Sequence, residues 1–482
     1  MDTPLILIPL LGGVAVFTPL LEIIFKGKMR GKFASHLAVA TLTLAIVLVI
    51  YQPLISPFEL TASASGLFRN DLMGLFFSLA VLLVSLLVAV SSLDYMNGEP
   101  NEPIYYSLLL FTALGMTLLA FAVDLIMIVV AWELMSIPTY VLTGFRKHNS
   151  KSNEAALKYF ILGALSSGTI LYAASLIYGL TGTTNIFQIV ETSMTITSGL
   201  QPVAILSMLL FIGGLGVKMS LVPFHMWIPD AYEGAPTTVS ALLSAGTKKA
   251  AFAVAIRVFV IALPILHLDW QIAFAALALV TMTVGNIAAL TQKTITRLLA
   301  YSSIAQAGYI LIGLTVAIQS QLGLVGVLFH VFTHAVMQTT AFLAAAIVTK
   351  KIGRTDIESF NGLGARMPVT SFTFAVALLA LAGIPPLNGF WSKLVLFASA
   401  IDGGLAWLAV AGALNSAFSL GYYAWIVKRM YLDEGETATR IIEPWAFKSV
   451  LMVATAIIIV TGIYPAPIYE FARIAVSGLG LI

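Results

Sequence analysis

Once loops and helix ends are set aside, five charged side chains remain inside apolar stretches of this 482-residue chain: Glu133, Lys218, Lys248, Lys249 and Lys393. A charge at a bilayer centre costs about 2.5–3.5 kcal/mol on insertion scales, so each needs a reason to be there. A lysine in a dry site can lose its proton, and an approaching carboxylate restores it. Lysines whose partners approach or retreat can therefore pass a proton along, and Glu133 with Lys218 reads as such a coupled pair. Lys248 and Lys393 read as further stations. A static ion pair that locks helices together is the alternative. Lys248 and Lys249 are neighbours about 100° apart on a helix, so both are not expected to face one polar interior. Lys249 therefore reads as a helix-flank lysine or a neighbour of the path. His330 and His334 are four apart and share a helix face. They suit a proton relay near neutral pH, packed core histidines or a zinc pair, although no third ligand is evident. Ser302, Ser303, Thr333, Thr339 and Thr340 lie at a similar level, where hydroxyls either hold waters or bond back to their own helix.

The rest of the chain is built to hold such groups in a membrane. It is 59% hydrophobic and 10% charged, whereas a soluble domain carries about 25% charged residues. Mean hydropathy is +0.98. This excludes a soluble enzyme, a disordered scaffold and a nucleic-acid binder. The net charge of +3 is too small to call for an anionic partner, and there are no cysteines. Thiolate ligands for zinc or an iron–sulfur cluster are therefore missing, and any redox chemistry belongs to another chain.

About 20 apolar residues cross the hydrocarbon core, and the chain offers 14 such stretches. They include 4–25, which reads as a retained helix, 123–143 with Glu133, 202–222 with Lys218 and 239–262 with Lys248 and Lys249. The stretch 322–348 holds both histidines and 368–401 holds Lys393. Basic residues fall on alternate loops. Lys26 to Lys32, Arg146 to Lys151, Lys293 and Arg297, Lys350 to Arg366 and Lys428 to Lys448 follow odd-numbered spans, and only Arg69 follows an even one. The positive-inside rule makes the odd loops cytoplasmic and puts both termini outside.

The chain also repeats itself. Tyr140-Val141-Leu142-Thr143-Gly144 falls on Tyr309-Ile310-Leu311-Ile312-Gly313, and Gly182-Thr183-Thr184-Asn185-Ile186 on Gly353-Arg354-Thr355-Asp356-Ile357. These matches divide the chain into three leading helices (1–103), two five-span units (104–262 and 270–430) and a C-terminal helix with a short tail (431–482). Five spans per unit force the second copy to enter from the opposite face, as in many secondary transporters. The fourth span of each unit carries helix breakers: Gly213, Gly214, Gly216 and Pro223 in one, Gly383, Pro385, Pro386 and Gly389 in the other. The register pairs Lys218 with Ile384, Lys393 with Trp227, Lys248 with Leu414 and Glu133 with Ser302. The backbone is duplicated while the charges diverge.

The run Gly216-Val217-Lys218-Met219-Ser220-Leu221-Val222-Pro223-Phe224-His225-Met226-Trp227-Ile228-Pro229-Asp230 continues to Pro236. It resembles the signature of the antiporter-like subunits of respiratory complex I, shared with Mrp-type sodium/proton antiporters and membrane-bound hydrogenases. Trp132-Glu133 and the segment from Gly383 through Lys393 are similar to the same family, and the resemblance spans nearly the whole chain. It implies an all-α fold of 14 helices, two inverted five-helix units, broken seventh and twelfth helices and one proton channel. Glu133, Lys218, Lys248 and Lys393 match the family's channel residues, with Lys393 facing a neighbouring subunit. His330, His334, Lys249 and the motif's His225 are secondary relay candidates, and Asp230 is expected in a loop as a helix cap.

The tail is too short for the family's longest member, and the run from Asp230 to Ser240 is most similar to N-type members. His330 and His334 resemble other members, which suggests an N-type subunit of a coenzyme F420-dependent dehydrogenase. The implied role is proton translocation without a redox centre, with no cofactor or metal on this chain. Iron–sulfur clusters and flavin are expected in partner subunits, beside further antiporter-like chains. An antiporter subunit of an Mrp-type or hydrogenase-linked assembly is the alternative. A solute carrier is less well matched, since the breaks offer mainly lysines and backbone.

Overall fold

The computed structural model describes residues 3–24, 28–55, 66–193, 199–435 and 439–479. Lys26 lies outside them. The described chain is helical, with eleven helices long and apolar enough to cross a membrane. In chain order we label α1 (Thr3–Leu20), α2 (Lys28–Ile55), α3 (Leu72–Tyr95), α4 (Glu102–Phe121), α5 (Leu125–Thr143) and α6 (Ser150–Thr181). The seventh is broken into α7a (Gln201–Met219) and α7b (Ile228–Gly234). Then come α8 (237–262), α9 (His267–Leu290), α10 (Ile295–Thr315) and α11 (Gln321–Ile352). The twelfth is broken into α12a (Pro368–Ala382) and α12b (Asn388–Asp402), followed by α13 (Ala406–Tyr431), α14 (Trp445–Ile463) and α15 (Ala466–Ser477). The eleven apolar crossings, together with α8, the paired halves of α12 and the 26-residue α13, make up the fourteen expected spans.

Side chains at the apolar boundaries start and stop these helices. Asp71 accepts from Gly74 N at 2.8 Å to open α3, and Asp124 accepts from Ile126 N at 2.9 Å to open α5. Such caps satisfy amides that have no partner within the helix. Gly182 and Gly353 close α6 and α11 in the left-handed conformation, with φ of 69° and 78°, which glycine adopts without a Cβ penalty.

The inverted repeat is written in hydrogen bonds. On one face an isolated bridge pairs Asp124 with Asn185: Leu125 N donates to Thr184 O at 2.9 Å and Ile186 N to Val123 O at 2.9 Å. On the other, a bridge pairs Thr294 with Asp356: Ile295 N donates to Thr355 O and Ile357 N to Lys293 O, both at 3.0 Å. These are the segments matched by self-comparison. The same motif thus sits at opposite ends of the bundle, as inversion requires. The loops segregate accordingly. Lys350 Nζ caps α3 through Asp94 O at 2.8 Å and Tyr95 O at 2.7 Å, and Arg146 pairs with Glu99 at 3.3 Å, so the loops after α3, α5 and α11 share one face. The loops after α2, α4 and α6 meet on the other face through the Phe68–Ala122 and Asp124–Asn185 bridges.

Both broken helices are confirmed, but the glycines of the first do not break it. Gly213, Gly214 and Gly216 lie inside continuous α7a, and the interruption runs from Ser220 to Trp227. Lacking a Cβ at Gly214 lets α6 approach: an added Cβ would stand 2.6 Å from Ile170 Cγ1. Gly389 has a comparable role in the second break. A Cβ there would stand 1.9 Å from Ala380 O, so the start of α12b lies directly against α12a. Gly389→Ala should force the two halves apart at a cost of about 1–3 kcal/mol. Thermal unfolding of the purified assembly checks this, and an unchanged midpoint would refute the close-contact account.

α11 is the spine of the bundle. It touches α3, α8, α10, both halves of α12, α14 and α15, and its apolar window is wholly buried. Because protein surrounds it on every side, it can carry polar groups that a lipid-facing helix could not.

Candidate functional site

The lysines Lys218, Lys248, Lys249 and Lys393 are each at most 3% exposed, and His330 and His334 are fully buried. Glu133 is half-buried on α5. Among the described residues none of the four lysines forms an ion pair, Lys218 with Glu133 included. The locked ion pair weighed from sequence is therefore not the arrangement found. Neutral oxygens, aromatic faces and imidazole hold these groups.

Lys218 sits in the last turn of α7a. Its ammonium donates to the Tyr159 hydroxyl of α6 at 2.5 Å, and lies 4.6 Å and 5.2 Å from the ring centroids of Tyr159 and Tyr140. Cation–π attraction favours such placements, more so away from water. Lys393, on α12b, reaches back across its break. It donates to Leu381 O at 2.8 Å, Ala382 O at 3.2 Å and Ser416 Oγ at 2.9 Å, and stands 4.7 Å from the Tyr309 ring. Tyr140 and Tyr309 are repeat counterparts. The two lysines come from opposite sides of their breaks yet meet equivalent tyrosines. Superposing the left-handed caps Ser220 (φ 71°) and Gly383 (φ 88°) pairs Lys218 with Leu381 instead of Ile384. The register inferred from sequence is three positions out at these caps.

Lys248 and Lys249 correct another expectation. Both are interior and buried, because α8 is packed at this level against α3, α4, α7a and α11. A π-wound turn, Leu243–Thr247, precedes them. Their 100° separation sends them to different partners within the protein. Lys248 donates to Ser303 O at 2.8 Å and Ser303 Oγ at 3.0 Å on α10. Lys249 meets His334 Nδ1 at 2.5 Å on α11. Lys249 is thus no flank residue. It shares a hydrogen bond with an imidazole.

The histidines stack, ring centroids 5.8 Å apart and planes 14° apart. His330 Nε2 meets Gln306 Oε1 at 3.1 Å, and Gln306 Nε2 donates to Leu381 O at 2.9 Å. The amide oxygen must accept, so the network assigns the His330 proton to Nε2, leaving Nδ1 to accept from Ser392 Oγ at 2.9 Å. Leu381 O also accepts from Lys393. Hydrogen bonds and one stacked contact therefore link Lys249, His334, His330, Gln306 and Lys393 across α8, α10, α11 and α12. His334 Nε2 is buried without a hydrogen-bond partner among the described residues.

Of the hydroxyls, Ser303 serves Lys248, Ser302 bonds Tyr423, and Thr333 donates to Ser392 at 3.0 Å. Thr339 and Thr340 bond back to α11, to Ala335 O at 2.7 Å and Val336 O at 2.8 Å. His225 stays outside this network. It lies in the first break, its Nδ1 without a partner. Asp230 also departs from expectation. It lies in α7b and binds Lys158 of α6 at 2.7 Å and Arg297 of α10 at 2.8 Å. The helix resumes before it, at Ile228, so Asp230 fastens the half-helix to two neighbours and caps nothing. Tyr159, Trp227, Gln306 and Ser392 were not singled out from sequence. Only the Tyr140–Tyr309 match pointed at this layer of the site.

Broken helices in inverted repeats, with buried lysines at both breaks, define an ion-translocating membrane subunit of the antiporter-like class. The chain belongs to the family described as NADH:quinone oxidoreductase/Mrp antiporter, transmembrane, whose model matches residues 122–419. It is 45% identical over 413 residues to F(420)H(2) dehydrogenase subunit N of Methanosarcina mazei, covering 83% of each chain. It is 41% identical over 413 residues to NADH-quinone oxidoreductase subunit N of Trichlorobacter lovleyi, covering 84% of each. A chain of respiratory complex I from Thermus thermophilus, solved with bound aureothin, superposes with a TM-score of 0.80 at 32% identity, over 96% of this chain and 98% of that one.

Proposed function

We propose that this chain is an N-type, proton-translocating subunit of a complex I-like dehydrogenase, driven by electron transfer in partner subunits. One observation carries the reading. Four buried lysines and two buried histidines, none in an ion pair among the described residues, span both repeats, and each is hydrogen-bonded to an oxygen or, for Lys249 and His334, to the other. Groups held by neutral partners can exist with or without a proton, which a locked ion pair resists.

Glu133, Lys218, Lys248 and Lys393 are the principal stations in this reading. Lys249, His334 and His330 relay between them, and His225 has no assigned step. Lys218 binds a proton at Nζ against Tyr159, Lys248 binds one against Ser303, and Lys249 exchanges with His334 Nδ1. Lys393 hands its proton toward the lateral opening beside Ser416. That opening is a cavity of about 280 Å³ lined by Lys393, Pro385 and Leu394. The half-buried Glu133 supplies the negative charge that approaches or leaves Lys218.

Protons suit the second break better than sodium. Unwound carbonyls at such breaks commonly coordinate a metal cation, but here Lys393 Nζ occupies Leu381 O and Ala382 O. In this reading the loops after odd-numbered spans face the cytoplasm and both termini lie outside, in the cytoplasmic membrane. The chain has no redox centre; flavin and iron–sulfur clusters belong to partners that bind the donor and a quinone or phenazine.

Affinity purification from native membranes, with identification of the associated subunits and reconstitution into liposomes, tests this. Iron–sulfur and quinone-site subunits should copurify. Oxidation of NADH or reduced coenzyme F420 should drive acidification that a protonophore collapses and that proceeds without sodium. Strict sodium dependence, or copurification with Mrp-type subunits alone, would replace this reading with the antiporter one.

A further inference from the structure

The break after Lys218 is closed from its far side by a single side chain. Trp227 reaches back, and its indole N–H donates to Val217 O in the last turn of α7a at 3.1 Å. The same ring lies flat on Tyr159, centroids 4.2 Å apart and planes 6° apart. Tyr232 meets the indole edge-on at 6.1 Å and 82°. Tyr159 is therefore fixed on one face by the indole and at its oxygen by two bonds. It accepts from Lys218 Nζ at 2.5 Å, and so donates to Thr139 Oγ1 at 3.0 Å, which donates to Ser136 O at 2.7 Å. Tyr159 is the only hydrogen-bond partner of the Lys218 ammonium among the described residues.

The second repeat uses the same device with different chemistry. There Lys393 comes back across the break to carbonyls in the last turn of α12a. In each repeat, then, a side chain from beyond the break staples the end of the first half-helix. The second repeat staples with its proton-carrying lysine. The first staples with a neutral indole, which leaves its lysine on the near side.

We propose that Trp227 and Tyr159 are positioning residues for Lys218: the indole holds the end of α7a and the plane of Tyr159, and the Tyr159 oxygen seats the ammonium. The seat keeps Lys218 out of a direct ion pair with Glu133 and thereby sets the pH at which the site gains and releases its proton. Unmaking the staple frees the last turn and lets the lysine reach other partners. This rests on the reading of Lys218 as a proton carrier.

Three variants separate the contributions. Tyr159→Phe removes only the hydroxyl, Trp227→Phe keeps a ring but loses the N–H, and Trp227→Leu removes both stack and bond. Donor-driven proton uptake by membrane vesicles is followed across pH, alongside donor oxidation and the amount of assembled complex. Tyr159→Phe and Trp227→Leu should move the pH of half-maximal pumping by about half a unit or more, at wild-type levels of complex. Trp227→Phe should move it less. A Tyr159→Phe profile that superposes on wild type overturns the proposal, and this variant decides the matter if Trp227→Leu fails to assemble. Lys218→Gln is the control. Full pumping in Lys218→Gln overturns the proton-path reading and the seat with it. Loss of pumping there, beside an unchanged Tyr159→Phe profile, overturns the seat alone.

Discussion

Lys218→Gln should abolish proton translocation while leaving the complex assembled. The glutamine is close to lysine in length and can still hydrogen-bond the Tyr159 oxygen that Lys218 meets at 2.5 Å. It cannot gain or lose a proton near neutral pH. The pumping rate in vesicles should fall by about tenfold or more, the loss expected when a required transfer step loses its general acid–base group. The polar contacts around it stay satisfied, so the amount of assembled complex should change little. Lys248→Gln and Lys249→Gln extend the series. Lys248 is bound to Ser303 and Lys249 to His334. If Lys249 carries exchange with His334, its variant should pump as poorly as the others. A Lys249→Gln variant that pumps at the wild-type rate would return Lys249 to a packing role. Wild-type pumping by Lys218→Gln would defeat the whole path.

A second large effect is expected far from any lysine. Arg257, in the π-wound end of α8, binds Asp71 through two contacts of 2.6 Å and 2.8 Å and also donates to Ala120 O at 3.0 Å. Both residues are at most 1% exposed. Arg257→Met leaves the Asp71 carboxylate buried without its partner, which costs about 3–5 kcal/mol. Asp71→Asn keeps the α3 cap but strands the guanidinium, with a loss of similar size. The double variant removes both charges, and buried pairs replaced together are often close to neutral. It should therefore recover most of the loss, a strong departure from additivity. Thermal unfolding in detergent measures all three. Single variants within about 1 kcal/mol of wild type, or a double equal to the sum of the singles, would contradict the account.

The membrane class, the fourteen crossings and the inverted repeat were legible because each leaves a local or periodic trace. Apolar length marks spans, and the Gly182 and Gly353 segments match because both form the same cap and bridge. The second break was legible at Pro385 and Pro386. The first was legible at Pro223, which lies in the break, but not at Gly213 to Gly216, since glycine serves close packing as readily as it ends a helix. Lys218, Lys248 and Lys393 stood out because charge in an apolar run is conspicuous. Lys249 was given only a secondary place by an argument about helix faces that holds only when one face meets lipid, and α8 is enclosed. Arg257 and Asp71 were passed over as a helix end and a loop residue. They are 186 positions apart, and no local pattern announces such a pair. Asp230 failed as a loop cap for the same reason, its partners Lys158 and Arg297 lying on distant helices.

α11 has a consequence for how the protein is made. Its 32 residues extend about 48 Å, and in the finished bundle lipid touches almost none of them. Yet α12a, α12b, α14 and α15, which cover much of it, are synthesised later. On the ribosome α11 must therefore enter the membrane with Thr333 and the Nδ1 edge of His330 on a side that α12b does not yet cover. Hydrogen bonds from Ser392 to His330 and Thr333 become possible only when α12b arrives. A nascent chain stopped before α12b leaves these polar groups facing lipid, where they are costly. The helix that carries His330 and His334 is also the one whose burial is complete only when synthesis has passed the second break.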